Sequence, residues 1–392
     1  MLVYPFTPIL SPVEVHKAID NMADSSEDTA FVYGFAAVTT FLVQEKSTPS
    51  KHVREKTEQL IQRSLEAHRS ISFQIGLDGR IAEDPRATIK RILTCVFLEI
   101  SMMAFERFDS SFFILREAIS MIQIFQVRGL PSTGPVLAQY QRLYWEAYIH
   151  ERFLTFNSGF PNVLPPLSTG FPESDTSVPR HIELGFNRII SLFMLLDEDF
   201  LRFWRSQAEP QGESDLTADW IEYKQSQLDE DEMSTFEEDE RLRKQDLQGL
   251  NEFQHADIYI TRLWIRTLVW QLALSRGLLR SLPPQDDHAG LSLQYPARQI
   301  SAQLRNLVGR VENLASITMQ GSGIAHKLFD ITSTIADVLT VCYTREYERE
   351  KCFQLTDLEF LVNFLSQFEQ LRQNQMDYLR EKLHDFGKGP AA

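Results

Sequence analysis

Arg262 and Arg266 stand one helical turn apart, with Trp270 a further turn on and Trp264 on the neighbouring stripe. Side chains of these types on one face suit a polyol or a carboxylate. A guanidinium offers parallel N–H donors, and an indole can stack on a sugar face or on an arginine. A second run, Gln139 to Phe156, mixes Arg142, Tyr144, Trp145 and Tyr148 with Glu146, His150, Glu151 and Arg152. If the face of Arg262 and Arg266 is interior, the two guanidinium groups need partners, because an unpaired buried charge is strongly unfavourable. A bound ligand is one such partner. An internal carboxylate, with Asp257, Glu146 or Glu151 as candidates, is the other. Arg142, Tyr144, Trp145, Tyr148, Arg262, Trp264, Arg266 and Trp270 are thus the candidate effector-binding residues.

Other constellations read as structural. Asp197-Glu198-Asp199 and Asp229-Glu230-Asp231-Glu232 invite a magnesium-diphosphate site of the isoprenoid cyclase kind, but Asp197 and Asp199 are two apart and residue 201 is Leu, so a D-D-x-x-D set cannot form on one face. Solvated helix faces are the reading for both. Gly321-Ser322-Gly323 precedes a helical pattern, yet Lys327 is misplaced for a phosphate-binding loop, which leaves a helix-start turn. The histidines form no H-x-x-x-H pair, and no G-x-S-x-G elbow occurs. Cys95, Cys342 and Cys352 include no C-x-x-C. The expectation is no catalytic residue, no metal and no cofactor in this chain.

The elements that must position the candidates are helical. Ser11, Pro12 and Glu14 spell a capping box with proline at the first helical position. Leu93, Val96, Phe97, Ile100, Met103 and Ala104 trace one stripe of a core helix, and Phe112 to Gln126 carries two. Residues 157–181 hold five prolines, which forbids a helix or strand there, and a loop so long is usually functional. Residues 207–240 carry thirteen acidic side chains against Lys224 alone, a solvated helix or mobile insertion whose Trp220, Tyr223 and Phe236 offer an interaction surface. Beyond it, Ile324, Leu328, Ile331, Ile335 and Val338 form a further stripe, and Thr356 with Glu359 reads as a second capping box. The expected organisation is one all-α domain with an N-terminal half at 1–206, an acidic insertion at 207–250, a C-terminal half at 251–384 and a disordered tail at 385–392.

Composition agrees. The 392 residues are 43% hydrophobic and 11% aromatic, enough for a large core. Lys and Arg number 39 against 54 Asp and Glu, a net charge of −15, so the basic footprint of direct nucleic-acid binding is missing. Neither a leader nor an apolar stretch of spanning length is readable, which points to a soluble intracellular chain.

Arg116-Glu117-Ala118-Ile119, then Gln141-Arg142-Leu143-Tyr144-Trp145-Glu146-Ala147-Tyr148-Ile149-His150-Glu151-Arg152-Phe153, then Leu164-Pro165-Pro166 resemble the middle homology, or regulatory, region of fungal zinc binuclear cluster transcription factors. The later block Ala256-Asp257-Ile258-Tyr259-Ile260-Thr261-Arg262-Leu263-Trp264 through Trp270-Gln271-Leu272-Ala273-Leu274-Ser275, with Leu291-Ser292-Leu293 and Gly321-Ser322-Gly323, is similar to the subset that regulates sugar and plant-polysaccharide catabolism. The resemblance implies a large multi-helix regulatory domain, nuclear localisation and control of carbohydrate catabolism genes by a sugar-derived effector, a corepressor or the transcription machinery. It also implies homo- or heterodimers. Zinc is expected only in the family's six-cysteine DNA-binding module, which this chain does not contain, and neither direct nucleic-acid binding nor membrane association is expected of the chain. The rival readings are a helical isoprenoid cyclase-like enzyme and a scaffold or dominant-negative partner of a full-length factor.

Overall fold

A computed structural model describes residues 7–42, 51–72, 86–129, 133–208, 215–280, 291–310, 317, 321–341, 348–368 and 371–388. Cys342 and the tail from residue 389 lie outside them. Fourteen α-helices and no strand occur among the described residues, so the fold is all-α and multi-helix, with one isolated bridge between Arg280 and Ser292. Two compact units divide the chain, Met1–Ile190 and Ser191–Ala392. The division falls inside a helix, whereas sequence patterning places the first boundary at residue 206.

In the first unit, α1 (Pro12–Asn21) opens on the expected capping box, with Ser11 and Glu14 bonding each other's backbone N–H. Helices α2 (Ser26–Leu42), α3 (Lys51–Ser72) and α4 (Ile89–Ala104) meet at Gly34, where a Cβ would stand 3.1 Å from Ser64 Oγ and 3.7 Å from Phe97 Cβ. Glycine permits that approach. Ala37, Ile61, Leu98 and Met102 close the core beneath it. The Thr88 hydroxyl caps α4 by accepting from Arg91 N, and Ile92, Leu93, Cys95, Val96, Phe97 and Leu98 are buried in succession, so the helix is central rather than one-faced. Helices α5 (Phe108–Arg128) and α6 (Pro135–Ser158) complete the bundle, and α6 ends where Gly159 adopts a left-handed conformation at φ +71°. Residues 159–179 then run without helix or strand, as the five prolines require. Helix α7 (Arg180–Met194) carries the unit boundary.

The second unit contains α8 (Glu198–Arg205), α9 (Ala218–Lys244), α10 (Glu252–Ser275), α11 (Ser301–Arg310), α12 (Ser322–Val341), α13 (Glu348–Leu365) and α14 (Gln373–Lys388). Helix α10 is buried almost all round and packs against α12, whose stripe Ile324, Leu328, Ile331, Ile335 and Val338 is buried as its spacing predicts. Helix α12 begins at Ser322 after Gly321 at φ +85°, the expected helix-start turn. Two expectations need correction. Thr356 does not start a helix: it lies within α13, its hydroxyl bonded back to Cys352 O one turn earlier, so a Ser/Thr-x-x-Glu pattern here marks a helix interior. Residues 385–388 are the last of α14 rather than a tail.

Candidate functional site

Helix α6 holds the proline-rich segment through the very residues that spacing nominates for a ligand. Arg142 pairs with Asp175 at 3.0 Å, Tyr144 Oη donates to Pro165 O at 2.8 Å, and Trp145 Nε1 donates to Gly170 O at 3.0 Å. Tyr148 stacks edge-on against Trp145 with centroids 5.1 Å apart, and the Arg152 guanidinium lies 4.1 Å over its ring. Arg152 Nη1 also donates to Leu164 O at 3.0 Å. The anchor is Glu151, whose buried carboxylate accepts from Val163 N, Leu164 N and Arg116 Nη1, each at 2.8 Å. Arg116 reaches Pro161 O with its other nitrogen. A segment with few bonds of its own is thus held mainly by side chains of α6, with Arg116 of α5 beside them. Burial and then Glu151 push the Tyr144 phenol up to about 12, so it remains a donor.

Arg262 and Arg266 face α9. Arg262 Nη2 lies 2.7 Å from Asp231 Oδ2, with side chains only 4% and 8% exposed. Arg266 Nη2 lies 2.6 Å from Asp229 Oδ1 and 3.5 Å from Glu232 Oε2, and Nη1 donates to Gln225 Oε1 at 3.1 Å. His255 Nε2 stands 3.3 Å from Asp239. As α10 ascends through 255, 262 and 266, its partners on α9 descend through 239, 231 and 229, which makes the two helices antiparallel. The turn between them is set by Asp239, which accepts from Leu250 N at 2.6 Å, beside Gly249, where a Cβ would meet Asp239 Oδ1 at 2.6 Å. The partners of Arg262 and Arg266 are therefore not Asp257, Glu146 or Glu151. Asp257 faces Lys327 at 3.5 Å, Glu146 accepts from Thr7 at 3.0 Å, and Glu151 holds the loop.

Trp264 and Trp270 are buried in α10. Trp270 Nε1 donates to Ser292 O at 3.0 Å, and Trp264 Nε1 to Asp330 Oδ2 at 3.1 Å. Lys327 Nζ donates to Thr261 Oγ1 at 2.7 Å, which gives this lysine a structural place on the helix after the glycine turn. Burial raises the Asp330 carboxyl to about 6, only partly offset by the indole N–H. Because the folded value lies above the usual one of about 4, stability from this group is present in acid and is lost as pH rises through about 6. Asp330→Asn keeps an acceptor for Trp264 and removes the charge. It should stabilise the protein by about 2–3 kcal/mol at pH 7.5 and by little at pH 4, read from urea midpoints at the two pH values.

Between α4 and α6, His150 Nδ1 lies 2.6 Å from Glu99 Oε2 and Nε2 lies 3.5 Å from Glu146 Oε1, while Ser111 Oγ donates to Glu99 Oε1 at 3.1 Å. Burial alone would lower the imidazole's pKa, but the two carboxylates outweigh it and push it up to about 10. The imidazolium contributes stability below its ordinary value of about 6.5, and the contribution disappears as pH rises through about 10. Wild type should lose more melting temperature between pH 7 and pH 10.5 than His150→Gln does.

The acidic clusters are engaged. Asp197 caps α8 by accepting from Phe200 N and pairs with Lys224 at 2.6 Å; Asp199 meets Arg202 at 2.9 Å; Asp229, Asp231 and Glu232 serve the arginines of α10. One cluster has no local signature in the sequence. His68 of α3, Cys95 of α4 and Glu117 of α5 come together, with Nε2 2.7 Å from Glu117 Oε1 and 3.6 Å from Cys95 Sγ. Burial, then Glu117, hold the Cys95 thiol well above its usual range against the opposing pull of Arg91, while the His68 hydrogen bond holds the Glu117 carboxyl below its own.

The candidate effector residues form two groups. Arg142, Tyr144, Trp145 and Tyr148 belong to the first unit, and Arg262, Trp264, Arg266 and Trp270 to the second. Over 258 residues the chain is 22% identical to a protein described as a probable sucrose utilization protein of Candida albicans, a span covering 65% of this chain and 47% of that protein. The chain thus spans less than half the length of this relative. No family model and no solved structure matches. Among the described residues, no helix is long and apolar enough to cross a membrane.

Proposed function

We propose that the chain is the effector-responsive regulatory module of a transcription regulator that governs carbohydrate use. The likeness to a probable sucrose utilization protein supports this reading, because the printed description of that protein carries the same carbohydrate theme. The second unit supports a sugar-derived effector. Arg266 is buried, yet its carboxylate partners Asp229 and Glu232 are 65% and 45% exposed, so a polyhydroxylated sugar derivative arriving from solvent meets the pair at its open side, its hydroxyls able to donate to the carboxylates and accept from the guanidinium. Such a ligand competes with the two carboxylates for the guanidinium and biases the packing of α9 on α10, a population shift set by its differential affinity. The outer face of α9, with Tyr223, Met233 and Phe236 exposed among acidic residues, is the surface offered to a corepressor or the transcription machinery, in the nucleus.

The test fuses the chain to a heterologous DNA-binding domain in yeast with a matching reporter. Output should change at least severalfold between glucose and sucrose or a sugar acid as carbon source, and Arg266→Met should flatten the response while the protein stays folded. A reporter indifferent to carbon source would overturn the proposal.

A further inference from the structure

Three helices of the first unit each deliver one metal-ligating atom to the same point. His68 Nε2, Cys95 Sγ and a Glu117 carboxylate oxygen all lie within 4.8 Å of one another. We propose that His68, Cys95 and Glu117 bind a zinc ion that clips α3 to α4 and α5, with a fourth position open to water on the Glu117 side.

The donor set is one that zinc takes: an imidazole nitrogen, a thiolate sulfur and a carboxylate oxygen. Zinc bonds of about 2.0–2.3 Å place tetrahedral ligand atoms about 3.3–3.8 Å apart. The 3.6 Å between Nε2 and Sγ already meets that spacing. The 2.7 Å between Nε2 and Glu117 Oε1 must open by several tenths of an ångström, and Glu117 can supply this because its side chain is 43% exposed. Charge also balances, since a thiolate, a carboxylate and a neutral imidazole cancel a divalent cation, leaving buried Arg91 as the nearby charge. Without the ion, Nε2 is asked to serve two neighbours at once. A ring nitrogen that donates to the carboxylate cannot also accept from the thiol, whereas a cation satisfies all three groups. The same trio does not read as a nucleophile with its base, because Cys95 is 0% exposed and a substrate could not reach its sulfur.

Cobalt titration of the reduced full-length chain, previously dialysed against a chelator, reads the site directly through the thiolate-to-cobalt charge-transfer absorption. One equivalent should develop the band, zinc should displace it, and melting temperature should rise with zinc. The Cys342→Ala/Cys352→Ala double variant should keep the band and Cys95→Ala should abolish it. Glu117→Gln, at a half-exposed position that leaves folding intact, should weaken cobalt affinity about tenfold or more. Absence of the band, its survival in Cys95→Ala, or unchanged affinity in Glu117→Gln would overturn the proposal, the last of these even if Cys95→Ala fails to fold.

Discussion

Asp231→Ala lowers the stability of the Ser191–Ala392 unit by about 3–5 kcal/mol. Its partner Arg262 is 4% exposed and, among the described residues, retains the Thr235 hydroxyl at 3.3 Å as its one hydrogen-bond partner once the carboxylate is gone. A guanidinium in that position has neither water nor a counter-charge. The loss belongs to the orphaned charge rather than to the attraction itself, so Arg262→Met/Asp231→Leu should recover most of it. Asp229→Ala, two residues away on α9, should cost no more than about 1 kcal/mol, because Asp229 is largely exposed and Glu232 remains near Arg266. Urea unfolding followed by tryptophan fluorescence checks all three, since Trp204, Trp220, Trp264 and Trp270 report on this unit. A loss of equal size at 229 and 231 would contradict the account.

Glu151→Ala produces a comparable loss in the first unit, again about 3–5 kcal/mol. One carboxylate accepts two backbone N–H groups, of Val163 and Leu164, together with Arg116, so its removal leaves several donors unanswered. Glu151→Gln should fall between wild type and Ala, because an amide retains one acceptor oxygen but not the charge. Limited proteolysis supplies a local readout. Cleavage between residues 159 and 179 should accelerate in Glu151→Ala under conditions that leave wild type intact, and unchanged protection would contradict the anchoring role.

What the sequence discloses follows from the range of the interactions involved. The stripes of α4 and α12 are readable because burial there is by apolar side chains at helical spacing, and the box at Ser11 because its partners are three residues apart. Helix α9 is different. Ile221, Lys224, Leu228, Asp231, Thr235 and Asp239 also recur every three or four residues, but half of that face is charged, so a search for apolar stripes reads an acidic insertion where a packed helix stands. Its complement, Arg262 and Arg266, lies some thirty residues away and is visible only when the two periodicities are set side by side. The α6 residues show the converse difficulty. Their types suit a ligand, and a chain segment with extended prolines presents the same carbonyls and carboxylate that a ligand would. His68, Cys95 and Glu117 are far apart in sequence and share no spacing rule, so only the packing of three helices brings them together.

The two arginine rungs between α9 and α10 differ in their contact with solvent, and that difference has a consequence for behaviour in electrolyte. Added sodium chloride shortens the Debye length to about 3 Å at 1 M, which attenuates attraction between charges that water reaches and leaves those sealed from it nearly untouched. The Arg266 rung, with Asp229 and Glu232 open to the ionic atmosphere, should weaken as salt rises, whereas the Arg262 rung should not. The pair of helices is therefore built to loosen at one rung while the other stays pinned, so a rise in ionic strength would tune the seam without dissolving it.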